Sequence, residues 1–337
     1  MLRRLVPPFL VLLAGAGPAF ADPGADCDRL AANVTDAARP KDVPPVAFDK
    51  IDIAVAIPAC EAAAAASPGE LRYTFQLALA YAAARRFEEE ITELRKAADG
   101  GYVAAQFTLG YDYDVGEGVE QSDAEAYKWY RKAAEAGSPV AQTSLGTMVA
   151  MGRGADKNLP EALDWYRKAA AQGFGQAQIN LGLAYQFGRG VPQDLAAAAG
   201  WYKQAAEGGD PAGQTQYGLM LANGLGLPQD DRAAVIWLKL AADQGFALAE
   251  ASYGVMLGLG RGVRPDMISA SIWLRKAAAK GNATGQFNLG VMYKEGKIFG
   301  SSPEASRAEA VKWLKAAAAQ GHEGAQKLLA QMGETLE

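Results

Sequence analysis

Tryptophan recurs at Trp129, Trp165, Trp201, Trp237, Trp273 and Trp313, with intervals of 36, 36, 36, 36 and 40 residues. The residues around each tryptophan recur with it, so most of the chain is one small unit copied in phase. A unit of this size cannot bury an apolar face alone and must stack on its neighbours. The constraint is therefore architectural first: an elongated array with long exposed faces, in which binding is a more natural task than chemistry.

The unit can be written from the residues. A string A-Q-x-x-L-G runs through Ala105–Gly110, Ala141–Gly146 and Ala177–Gly182, loosens at Gly213–Gly218 and Ala249–Gly254, and returns at Gly285–Gly290. A G-x-G pair follows, as in Gly116/Gly118, Gly152/Gly154 and Gly188/Gly190, and then W-x-x-K-A-A or a near variant. Apolar spacing is helical on both sides of the glycines, which predicts two antiparallel helices per unit. Ser122, Asn158, Asp194, Asp230 and Asp266 stand seven residues before their tryptophans as N-caps of the second helix. In the sixth unit Ser302 caps and Pro303 stands just inside, and the four extra residues amount to about one helical turn.

These motifs resemble the Sel1-like repeat family, a relative of the tetratricopeptide repeats, over about residues 102–331. The resemblance implies an all-α fold, a right-handed α-solenoid of stacked antiparallel helix pairs. Leu71 to Gly100 resembles a plainer tetratricopeptide-type pair, with Arg85 and Arg86 at its turn and Glu93 in the tryptophan slot. The resulting organisation is a signal peptide over 1–21, an N-terminal segment with one helix over 22–66, a first helix pair over 67–101, the array over 102–332 and a tail over 333–337.

Arg3 and Arg4 followed by an apolar run and Ala19-Phe20-Ala21 read as a signal peptide cleaved after Ala21. No later stretch is apolar enough for a membrane span, so the mature chain is expected in the periplasm or outside the cell. Without Arg3 and Arg4, 31 basic residues face 38 acidic ones, a net charge of −7, which speaks against a nucleic-acid partner. Cys27 and Cys60 both precede the array, and an isolated pair in an exported chain is expected to form a disulfide. With one histidine and no recurrent close pair of carboxylates, no catalytic, metal or cofactor site is expected.

Several features have a plain packing reading. The tryptophans and Met148, Met220, Met256 and Met292 fill gaps between units, although exposed tryptophans would suit sugar rings. The G-x-G pairs lack the strand and third glycine of a nucleotide fingerprint and read as turns. Arg131, Arg167, Lys203, Lys239, Arg275 and Lys315 sit where a cation offsets a helix dipole. Arg153, Arg189 and Arg261 would make an anionic-ligand ridge on the turns, but Glu117 and Leu225 interrupt it.

In tetratricopeptide-like repeats the first helix of each pair lines the concave face, and this resemblance implies two inward columns here. One is Phe107, Thr143, Ile179, Thr215, Ala251 and Phe287; the other is Tyr111, Thr147, Leu183, Leu219, Val255 and Val291. Both are uncharged, and they either form a groove for a protein or peptide or are buried against one another. The leading expectation is a non-enzymatic, exported scaffold for a protein partner, with an envelope-glycan-binding factor as the alternative. Cysteine-rich relatives linked to β-lactam chemistry carry disulfides within their repeats; this array has no cysteine, so that property does not carry over.

Overall fold

A computed structural model describes residues 22–33, 36–298 and 302–335. The expected signal peptide lies outside the described residues. Among those described, 17 α-helices and one short 3-10 turn account for the regular structure, with no strand. They form two compact units, residues 1–136 and 137–337.

The first unit contains α1 (Pro23–Ala31), α2 (Ile53–Ala66), α3 (Leu71–Ala83), α4 (Phe87–Asp99), α5 (Val103–Val115) and α6 (Asp123–Glu135). Cys27 in α1 and Cys60 in α2 form a disulfide, and both are fully buried beside Leu77 and Tyr81 of α3. On a chain-entropy model, closing a loop of this size contributes roughly 3–4 kcal/mol. The boundary between the two units falls inside the array. The reason is local: Trp129 of α6 and Leu109 of α5 belong to one apolar cluster with Phe75, Leu94 and Ala98.

The second unit runs α7 (Pro139–Met151), α8 (Leu159–Ala171), α9 (Gly175–Phe187), α10 (Leu195–Glu207), α11 (Pro211–Asn223) and α12 (Asp231–Asp243). It continues with α13 (Ala247–Leu259), α14 (Met267–Ala279), α15 (Ala283–Lys294), α16 (Pro303–Ala319) and α17 (Glu323–Gln331). Odd-numbered helices from α5 onward are the first of each pair. Every expected N-cap works: the side chains of Ser122, Asn158, Asp194, Asp230, Asp266 and Ser302 each accept a backbone amide three residues on. The four extra residues of the sixth repeat lengthen α16 to 17 residues, against 13 in α14.

Glycine fixes how closely the two helices of a pair approach. A Cβ on Gly182 would stand 2.5 Å from the Tyr202 ring, so α9 and α10 cross at the L-G position. At the turn, Gly226 has φ +74° and a Cβ there would meet the Leu195 backbone at 2.2 Å, which excludes any side chain.

The glutamine of A-Q-x-x-L-G stitches the stack. Gln214 donates to the Ala206 carbonyl (3.4 Å), and its Oε1 accepts from Gln244 at the end of α12 (2.9 Å). Gln244 also donates to the Gly209 carbonyl (3.3 Å). Gln172 with Gln142 and Gln320 with Gln286 repeat the arrangement. These amides satisfy helix-end carbonyls that would otherwise be orphaned.

Candidate functional site

The two inward columns part company in the structure. Thr143, Ile179, Thr215 and Ala251 are buried, and the hydroxyls of Thr143 and Thr215 donate to the Pro139 and Pro211 carbonyls (2.8 and 2.6 Å). These four positions pack first helices against their surroundings rather than facing solvent. Phe287 is half-buried and stacks on His322 at 4.3 Å; Phe107 is half-buried beside Tyr130 at 5.6 Å. The second column is more open. Thr147, Leu183, Leu219, Val255 and Val291 are all half-buried, and Tyr111 of the first unit is exposed.

Four residues beyond the second column is a set that spacing alone could have picked out. Met151, Phe187 and Leu259 end their helices just before the turn glycine and are 66%, 55% and 66% exposed. They share the 36-residue register, interrupted by Asn223. The signal in the sequence was a large apolar residue directly before G-x-G, a place where a packing role is not available. With Leu183 and Val255 one turn earlier, these residues put an apolar, uncharged line on the first-helix face of the second unit.

The tryptophans offer no comparable surface. Trp129 and Trp165 are buried and the other four half-buried. Lys132, Lys168 and Lys276 lie over the rings of Trp129, Trp165 and Trp273 at 3.8, 3.8 and 4.0 Å, and Tyr217 and Tyr253 pack edge-on against Trp237 and Trp273. The cations two residues after the tryptophans pair locally, Arg167 with Asp164 (2.7 Å) and Lys239 with Asp243 (2.6 Å), each worth a few tenths of a kcal/mol. Of the turn arginines, Arg261 is engaged by Asp231 and the Ala222 carbonyl, while Arg189 lies over Phe187. His322 caps α17, its Nδ1 accepting the Ala325 amide (3.3 Å).

Electrostatics single out a different place. Glu90 of α4 and Asp112 of α5 are both buried. Burial, with Glu117 nearby, pushes the Glu90 carboxyl up to about 7. Burial, with Glu90 and Glu117, pushes Asp112 up to about 8. No group of three or more His, Cys, Asp or Glu suited to a metal ion is found among the described residues; the raised values favour the protonated form of both acids at neutral pH and below.

With the repeat geometry in view, the comparisons decide the family. The Sel1 repeat model matches six consecutive segments, residues 103–138, 139–174, 175–210, 211–246, 247–282 and 283–322. The chain belongs to the Sel1 repeat family. Among solved structures it is similar to the protective antigen of uropathogenic Escherichia coli strains that displays an SLR fold, at 32% identity and TM-score 0.70. That match covers 82% of this chain and 61% of the antigen, so this chain spans less than two thirds of that relative. A Sel1 repeat protein from Oxalobacter formigenes is 36% identical with TM-score 0.66, covering 72% of this chain and 98% of that one. No curated protein matches the chain. These relatives make the fold a helical-repeat solenoid, and Sel1 repeats are a scaffold for protein interaction.

Proposed function

We propose that this Sel1 repeat protein is an exported, non-enzymatic adaptor that holds a segment of a partner protein along the first-helix face of its second unit. The observation that carries this reading is the uncharged line in which half-buried Leu183, Leu219 and Val255 adjoin exposed Met151, Phe187 and Leu259. Exposed apolar residues in register on one face are the usual mark of an interaction site. Export is supported by the N-terminal signal-like sequence, by the Cys27–Cys60 disulfide and by the likeness to a protein described as a protective antigen. No helix of the described residues is long and apolar enough to cross a membrane. Glycan binding is the weaker reading, because lysine and tyrosine side chains cover the tryptophan faces that sugar rings would need.

The test is affinity capture from an envelope extract with residues 22–337 as bait, beside a variant carrying Leu183→Glu, Leu219→Glu and Val255→Glu and retaining native helicity. A protein held by the native bait and lost by the variant supports the adaptor. Equal capture by both baits removes this face from consideration.

A further inference from the structure

The first-helix face of the second unit is not uniform: two equivalent clefts open in it, three repeats apart. One, of ≈ 470 Å³, lies between α7 and α9 over a floor from α8. The other, of ≈ 120 Å³, lies between α13 and α15 over α14. They are built from the same register. Thr147, Ala150 and Met151 of the first recur 108 residues later as Val255, Gly258 and Leu259 of the second. Tyr166 on the first floor recurs as Leu274, and Asn180 on the far wall as Asn288.

In the same register in between, side chains span the gap, and the spanning atoms can be named. Where the first cleft has Ala150, α9 has Gln186, whose Oε1 accepts the Tyr202 hydroxyl at 2.7 Å and bridges the gap. In the next repeat Arg261 reaches across to Asp231 (2.6 Å) and to the Ala222 carbonyl. The Arg261 position is Arg189 at the first cleft and Lys297 at the second. There, however, the Asp231 position holds Leu159 and Met267, which cannot draw a cation inward. Thus a small residue on the wall and an apolar residue on the floor keep each cleft open, and either change closes it.

The mouths differ in charge. At the first cleft Lys157 and Arg189 are exposed on the lining, and no ion pair is recorded for either among the described residues. At the second, Lys297 is neutralised by Glu295 at 2.6 Å. A space of ≈ 470 Å³ takes an aromatic side chain with room to spare, whereas ≈ 120 Å³ takes one aliphatic side chain. Helices pack with axes about 8–10 Å apart, so three repeats place the clefts at least about 25 Å from each other. At 3.3–3.6 Å per residue, that distance needs at least about eight residues of extended chain.

From this we infer that the partner is an extended peptide segment with two anchors: an aromatic residue flanked by Asp or Glu in the α7–α9 cleft, and an aliphatic residue at least about eight positions away in the α13–α15 cleft. This inference rests on the adaptor reading and specifies its partner. Two modest anchors on one chain reinforce each other because the second engages at high effective concentration.

The test is selection from a displayed library of random 20-residue peptides against the mature chain, followed by binding of fluorescein-labelled synthetic copies of the enriched peptides. Two variants graft the neighbours' closure: Ala150→Gln copies Gln186, and Gly258→Gln fills the second cleft, where an added Cβ meets nothing closer than 3.6 Å. Helicity of both is checked first. The expected result is enrichment of an acid-flanked aromatic and a distant aliphatic residue, with each variant weakening binding at least tenfold. Leu159→Asp, which gives Arg189 the acid that Arg261 has, should weaken it similarly. Enriched peptides that bind both closed variants as well as the native chain overturn the clefts while leaving the adaptor standing. Peptides with one anchor, sensitive to Ala150→Gln alone, overturn the two-point mode. No enrichment at all counts against the adaptor itself.

Discussion

Glu250 in α13 and Asp112 in α5 are both carboxylates, 2% and 3% exposed, in positions that the repeat otherwise fills with uncharged side chains. Glu250 takes the glutamine position, and its partner changes with it: Lys280 stands where Gln244 and Gln320 stand elsewhere, and its Nζ meets Glu250 Oε1 at 2.7 Å. Lys280 also keeps the second bond of that position, to the Gly245 carbonyl. A neutral amide pair has become an ion pair with the same geometry. Asp112 takes the position of Met148, Met220, Met256 and Met292, while Glu90 opposite takes that of Ala126, Ala162, Ala198, Ala234, Ala270 and Ala310. Neither gains a cation, and Asp112 Oδ2 and Glu90 Oε2 have no hydrogen-bond partner. A stacked repeat therefore accepts a buried acid in two ways: with a counter-charge in the adjoining position, or with a proton kept on the acid.

The sharpest way to break this comparison is to move the acid. Met220→Asp puts a carboxylate in a fully packed position of α11 with no cation in reach, and should cost about 3–5 kcal/mol. Hydrogen exchange resolved on α10 and α11 reads this locally, which suits an array in which stability is not one global number. A cost below about 1 kcal/mol would mean that the position is less closed than Met220 indicates.

The native acids predict the next effect, a pH dependence of known sign. Glu90 and Asp112 titrate near 4.5 and 3.8 when unfolded but near 7 and 8 in the fold. Between those limits the folded state binds more protons than the unfolded one, so their stabilising contribution is complete below about pH 4 and lost as pH rises through 7 to 8. At about 1.4 kcal/mol per pKa unit the loss amounts to several kcal/mol. Glu90→Ala with Asp112→Met restores what the register holds elsewhere. It should flatten the profile and stabilise α4 and α5 at pH 8, measured as exchange protection corrected for the intrinsic pH dependence of exchange. An unchanged profile would place the proton elsewhere.

Within the array the ion pair can be taken apart. Lys280→Ala leaves Glu250 buried alone and should cost about 1–2 kcal/mol, less than a fully buried pair because Lys280 is partly exposed. Adding Glu250→Gln and changing residue 280 to Gln rebuilds the Gln214–Gln244 arrangement and should recover most of the loss. A double-mutant cycle read by hydrogen exchange on α13 and α14 checks it; additive effects would show that the two side chains act separately.

How much of this was legible in the sequence depends on whether a residue acts within its own repeat or across to another. The tryptophan spacing, the caps and the turn glycines act locally, and they specified the helices; the cysteine pair specified a disulfide that the structure contains. Which of the two readings of the inner columns holds, groove or burial, was not legible for Thr143, Ile179, Thr215 and Ala251, because it depends on how closely the surrounding helices approach. The clefts were hidden for a related reason. Ala150 and Gly258 look like ordinary small helix residues until Gln186 shows what else that position can hold, and Leu159 and Met267 look like ordinary apolar ones until Asp231 does. Glu93 in the tryptophan position did mark the first helix pair as different, but its neighbours Glu90 and Asp112 stand out only once the register is extended to them.

The smallest predicted effect concerns a bond that the first unit lacks. Gln106 donates to the Ala98 carbonyl at 3.1 Å as its counterparts do, but its Oε1 has no partner. At Gln142, Gln214 and Gln286 that oxygen faces Gln172, Gln244 or Gln320 from the end of a second helix; the corresponding residue at the end of α6 is Ala136. Ala136→Gln supplies a donor on an exposed helix end, within reach of Gln106 Oε1 and the Gly101 carbonyl if the repeat geometry holds. One added neutral hydrogen bond to a buried acceptor should stabilise by about 0.5–1.5 kcal/mol, less the side-chain entropy lost by the new glutamine. Slower exchange of the α5 amides, with those of α15 unchanged, is the expected reading. No gain would show that the stack takes its cohesion from apolar packing alone at this junction, and that the glutamine ladder sets register rather than stability.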